Sequence, residues 1–140
     1  MNLNTFFVDT GYFIALEALD DKNHASAKNH WQNFIRSRPS LVTTSFVFDE
    51  VVTFFNNRNR HDKAVEIGTR LLNSPSIQLV QVDESLFRSG WEYLKQHSDK
   101  RYSLTDSISF VVMQQRGIQT ALTFDRHFIQ ASFLSIPEME

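Results

Sequence analysis

Apolar and polar residues along the chain fall into two rhythms. Short runs rich in Phe, Val, Ile and Thr lie at residues 4–8, 41–43, 77–82, 118–124 and 133–136, and read as strands. Between them, apolar residues recur at spacings of three and four over residues 11–19, 24–36, 45–58, 61–72, 84–97 and 104–116, with a short stretch at 126–131. These predict helices. Pro39, Pro75 and Pro137 stand between elements or near the chain end, as punctuation. Strand–helix alternation of this kind predicts an α/β fold with a largely parallel sheet covered on both faces. Ligands of such sheets bind beyond the carboxyl ends of the strands, where the strand order switches.

Length adds that residues 1–140 suit one domain, without repeats or low-complexity linkers. The absence of Cys excludes disulfides, thiolate zinc sites and Cys nucleophiles. The first ten residues lack the basic start and long apolar run of a signal peptide, and no stretch approaches the ~20 apolar residues of a membrane span. A soluble, cytoplasmic protein is the expectation.

Acidic residues supply the candidate chemistry. Asp9 closes the first predicted strand, and Asp125 closes the fourth. In a parallel sheet both lie at the same edge. Asp106 stands in the first turn of the helix over 104–116, where Ser103-Leu104-Thr105-Asp106 also has the form of a capping box. Capping accounts for any one of these aspartates equally well.

It does not account for Glu50, which falls inside the helix over 45–58. At ~100° per residue it projects between Phe46 and Phe54, within the apolar sector. An ionised Glu is rarely buried there unless it is paired, with an Arg or a helix end for example, or bound to a metal. Two carboxylates ~5 Å apart repel by about 3 kcal/mol at an effective dielectric near 20, so converging acids call for a cation. Oxygen ligands alone suit a hard ion, Mg²⁺ or Mn²⁺. Such a site activates water and stabilises a phosphoryl transition state. The net charge of −2 is no obstacle: setting the four acids aside leaves 14 basic against 12 acidic side chains.

Four segments carry a family resemblance: Phe7-Val8-Asp9-Thr10; Thr43-Thr44 followed by Asp49-Glu50; Ser103 to Phe110, with Asp106; and Leu122-Thr123-Phe124-Asp125-Arg126-His127-Phe128. In this order and spacing the chain resembles the PIN-domain family, especially the VapC-type ribonuclease toxins of toxin–antitoxin pairs. The resemblance implies a three-layer α/β/α fold with a five-stranded parallel sheet in the order 3-2-1-4-5. It also implies Mg²⁺- or Mn²⁺-dependent endoribonuclease activity, with Asp9, Glu50, Asp106 and Asp125 as the catalytic and metal-binding set. Thr10 or Thr123 would orient the site through a hydroxyl. An antitoxin protein and a second copy of the chain are the implied partners. The helix over 45–58 fits a homodimer, because Phe46, Val47, Val51, Val52, Phe54 and Phe55 take up most of its circumference.

Other readings are weaker. The histidines at 24, 30, 61, 97 and 127 show no HExxH spacing. His127 is near enough to Asp125 to touch substrate, but a polar residue in a first helical turn is the simpler account. The locally basic stretch over 56–63 suits phosphate or merely a solvated turn. Within the family, a nuclease of RNA maturation and a catalytically silent protein-binding module are the alternatives; the second usually lacks an acid, and none is missing here.

Overall fold

A computed structural model describes residues 3–138. Its strands are β1 (Thr5–Val8), β2 (Ser40–Thr44), β3 (Ile77–Val80), β4 (Thr120–Leu122) and β5 (Leu134–Ile136). The helices are α1 (Thr10–Glu17), α2 (His24–Phe34), α3 (Ser45–Asn56), α4 (His61–Asn73), α5 (Glu84–Gln96), α6 (Leu104–Arg116) and α7 (His127–Gln130). All four strand pairings are parallel, and the order is β3-β2-β1-β4-β5. The expected three-layer α/β/α architecture and its 3-2-1-4-5 sheet are both present.

β1 is the middle strand. Phe7 pairs with Val42 on one side and Ala121 on the other. The chain winds outward through β2 and β3, then crosses back to β4 and β5. The order therefore reverses between β1 and β4, which makes their carboxyl ends the switch point. On one face Val8, Leu41 and Ile77 meet Tyr12, Phe13 and Leu16 of α1, Trp31 of α2 and Ile67 and Leu71 of α4. On the other, the Phe7 and Phe110 rings both pack against Phe128, with centroids 6.2 and 4.9 Å away. A single apolar cluster runs through both layers.

Local chemistry sets the element ends. Thr44 caps α3 by accepting from the Val47 N–H, and Asp83 caps α5 through Leu86. Gly117 ends α6 at φ 66°, a left-handed turn that costs glycine little. α5 and α6 approach closely at Gly90, where a Cβ would come within 2.3 Å of Ile108. The predicted strands other than β2 are longer than the observed ones at their ends, whereas β2 extends one residue further at each end than expected. β4 stops at Leu122 because the Thr123 hydroxyl accepts from the Asp125 N–H and turns the chain. Past β3, the Val82 N–H leaves the ladder to donate to Ser45 Oγ. The predicted helix over 24–36 closes as a 3-10 turn, Ile35–Ser37, after α2. No helix among the described residues is long and apolar enough to cross a membrane.

Candidate active site

Asp9 follows β1 and is almost fully buried, its backbone N–H still held in the sheet by Leu122 O. Although it occupies the N-cap position of α1, its side chain makes no capping bond. Its Oδ2 instead accepts the Thr123 hydroxyl at 2.9 Å. The same Thr123 oxygen accepts from the Asp125 N–H, so one buried threonine couples the two strand ends at the switch point. Burial pushes the Asp9 carboxyl up to about 7, with the charges of Asp106 and Asp125 adding to the rise and hydrogen bonds from Thr123 and Thr10 opposing it. Capping is therefore not what this aspartate is for.

Asp106 does two things. Its N–H donates to Ser103 Oγ and its Oδ2 accepts from the Ser103 N–H, completing the predicted capping box. It is also only 8% exposed, and the same oxygen lies 3.4 Å from the His127 ring nitrogen. Desolvation raises its pKa, the Asp125 charge raises it further, and contacts with Ser103 and His127 lower it.

Asp125 is half-buried, and its Oδ1 accepts from the His127 N–H at 2.9 Å. This Asx turn folds the chain back on itself. The His127 ring follows: Nδ1 lies 3.1 Å from Asp125 Oδ1 and 3.4 Å from Asp106 Oδ2. Donor atoms of Asp106, Asp125 and His127 lie within 4.8 Å of one another. His127 is the first residue of α7, as expected of a polar residue in a first helical turn, and its ring also reaches the two carboxylates. The missed signal was the spacing, since residue i+2 of an Asx turn is the one brought over the carboxylate. Tyr102 was missed as well; it is buried and meets the His127 ring edge-on, at 5.5 Å between centroids.

Glu50 requires a correction. Its side chain is exposed, not buried in an apolar sector, because the buried stripe of α3 is Val47, Val51 and Phe55, with Phe46 and Phe54 only half-covered. It is nevertheless drawn to the site's rim, where Oε1 accepts the Thr10 hydroxyl at 2.6 Å, one residue from Asp9. The structure thus brings Asp106, Asp125 and His127 together, joins Asp9 to them through Thr123, and leaves Glu50 at the edge. Both threonines expected to orient the site do bond to its acids.

The geometry fits a cation. The neighbouring oxygen and nitrogen donors are separated by 3.1 and 3.4 Å, close to the ~3.0 Å between adjacent ligands around an octahedral ion with ~2.1 Å bonds. His127 Nδ1 is buried and has no hydrogen-bond partner.

A switch-point acid cluster on a five-stranded parallel sheet in this order defines a family, and residues 6–134 match its PIN-domain model. The chain belongs to the PIN-domain family. It is 35% identical over 130 residues to the 23S rRNA-specific endonuclease VapC20 of Mycobacterium tuberculosis, covering 93% of this chain and 96% of that one, in both strains CDC 1551 and H37Rv. The crystal structure of M. tuberculosis VapC20, described as a sarcin–ricin loop cleaving toxin, superposes with a TM-score of 0.82 at 34% identity, covering 92% of this chain and 96% of that one. FitAcB from Neisseria gonorrhoeae shares the fold, with a TM-score of 0.62 at 17% identity over 93% and 95% of the two chains.

Proposed function

We propose that this protein is a cytoplasmic, metal-dependent endoribonuclease, the toxin of a toxin–antitoxin pair, acting on 23S rRNA at the sarcin–ricin loop. The observation that carries the reading is the meeting at the switch point of Asp9 and Asp125, joined through Thr123, with Asp106 beside Asp125, in a chain 35% identical to an rRNA endonuclease across nearly its whole length. We read the sequence, residues 1–140, as a single nuclease domain.

Asp9, Asp106 and Asp125 would hold Mg²⁺ or Mn²⁺. When bound, the ion supplies charge neutralisation at the scissile phosphate and a water of lowered pKa. Thr123 fixes the Asp9 carboxylate, and the Ser103 N–H fixes that of Asp106, so neither has to reorganise when substrate arrives. Glu50, exposed and oriented by Thr10, stands at the rim, where it orders water rather than completing the close donor group.

Incubating the purified protein with 23S rRNA and with a sarcin–ricin stem-loop, in Mg²⁺, Mn²⁺ or EDTA, tests the reading. The expected product ends are a 5′-phosphate and a 3′-hydroxyl, formed only with metal. A 2′,3′-cyclic phosphate, or full activity in EDTA, would overturn it.

An antitoxin segment bearing Arg or Lys would silence the site by competing with the ion for the carboxylates. A homodimer is also proposed, through α5 rather than α3. Much of α3 is covered within the chain, and among the exposed apolar residues the pair Phe87 and Trp91 of α5, with Phe87 against half-buried Phe46, is the one we assign to a second copy. Sedimentation equilibrium of the wild type and of Trp91→Glu decides it, because a ~16 kDa species for the wild type removes the dimer.

A further inference from the structure

Among the donors at this site, the nitrogen of His127 is the one whose state the protein alone leaves unexplained. Nδ1 is buried and makes no hydrogen bond, though two carboxylate oxygens lie 3.1 and 3.4 Å away. Buried polar atoms are normally paired, and each exception asks for a cause. The ring's position is not accidental: its backbone N–H is tied to Asp125, and its face or edge is held by Tyr102. The side chain as a whole is 28% exposed, so turning the nitrogen toward solvent would be available to it if no partner were intended. A nitrogen shared with two cis ligands of one ion behaves in this way. Its lone pair points at the ion, about 45° off the line to each neighbouring oxygen, and so makes no hydrogen bond to either.

We infer that His127 Nδ1 is a metal ligand alongside Asp106 and Asp125, making this a mixed nitrogen–oxygen centre that favours Mn²⁺ and later first-row divalent ions over Mg²⁺. The inference rests on the reading of the acid cluster as a metal site. The physical basis is ligand softness: imidazole nitrogen gives transition-metal ions a bond that Mg²⁺, a hard ion reluctant to lose its waters, does not match. An all-carboxylate centre would show little such preference. Asp9, held by Thr123 rather than within the three-donor group, would complete the oxygen side or bind through water.

The competing account is that His127 serves as a protonated counter-ion to Asp106 and Asp125. The two differ in sign. A ligand lost weakens metal binding, whereas a competing cation lost strengthens it.

The test is Mn²⁺ and Mg²⁺ titration of the full-length wild type and of His127→Phe, which keeps a ring against Tyr102 and removes both nitrogens. Calorimetry gives the affinities, and pulsed EPR of the Mn²⁺ complex reads any directly bound ¹⁴N without relying on the variant. The expected result is an imidazole ¹⁴N modulation in the wild type that His127→Phe abolishes. Mn²⁺ affinity should fall about 10-fold or more and Mg²⁺ affinity less than about 3-fold. Wild-type Mn²⁺ binding without ¹⁴N coupling would overturn the inference and leave a carboxylate metal site standing. Equal or tighter Mn²⁺ binding by a folded His127→Phe would also overturn it, in favour of the counter-ion. If the wild type binds neither ion at millimolar concentration, the metal-site reading itself fails and takes this inference with it.

Discussion

Two clusters of charge in this protein are built on opposite principles. At the α1–α4 contact, Glu17 receives both Lys63 and Arg70, and Arg70 also holds Glu66. Acids and bases there are interleaved, and Arg70 is pushed up from its ordinary pKa chiefly by its hydrogen bond to Glu17. At the switch point, the charges acting on Asp9 are Asp106 and Asp125, both of its own sign, in a position taken almost wholly out of water. The first arrangement lowers the energy of the folded chain as it stands. The second raises it, and is relieved by something added from outside. A protein tolerates such a cost where the added species does the work.

Breaking the second cluster should therefore cost activity, not stability. Asp106→Asn should reduce RNA cleavage by at least about 100-fold. Because Asn can still accept from the Ser103 N–H and keep the capping box, the metal-free variant should melt at or above the wild-type temperature. A loss of several kcal/mol in EDTA would mean that Asp106 is there for the helix.

Next in size is a pH effect on stability. The folded state keeps a proton on Asp9 up to about pH 7, while the unfolded chain releases it near 3.8. Metal-free protein should thus lose stability as the pH rises between those values, by up to ~4 kcal/mol in all. Melting in EDTA at pH 5.5 and 7.5 should show the decline in the wild type and a flatter profile in Asp9→Asn. Millimolar Mn²⁺, which competes with the proton, should stabilise the wild type more at the higher pH.

Thr123→Val keeps the shape of the residue but removes the hydroxyl that bonds Asp9 and accepts from Asp125. Metal affinity should fall about 10–100-fold by calorimetry, as for outer partners of metal ligands generally. Glu50→Gln should matter less, with under about 10-fold lost in cleavage and unchanged metal affinity, since Glu50 is exposed and outside the tight group. The control is Glu17→Gln in the paired cluster. It should destabilise by about 1 kcal/mol in urea and leave cleavage untouched.

The order of elements, the type of each and the positions of Asp9, Asp106 and Asp125 at strand ends and a helix start were legible in the residues alone. These depend on local periodicity and on turn chemistry, which act over a few neighbours along the chain. Element ends were less so: whether β4 runs on past Leu122 depends on what the Thr123 hydroxyl bonds to, and one of its partners is 114 residues away. The misjudged burial of Glu50 has a physical cause, and the reach of His127 illustrates the same one. A helical wheel ranks directions around one axis but does not say which direction another element covers. Phe46 and Phe54 look like core on α3, yet they are only half-covered, and Glu50 between them meets Thr10 across a gap that only the docking of α1 on α3 creates. Nothing in the spacing shows that the His127 ring is held beside the acids by its backbone bond to Asp125 and by Tyr102, just before α6, which meets it edge-on. The acids present are a matter of sequence. Which of them stand close enough to share an ion is decided by packing, because charge interactions depend on distance through space and not on spacing along the chain.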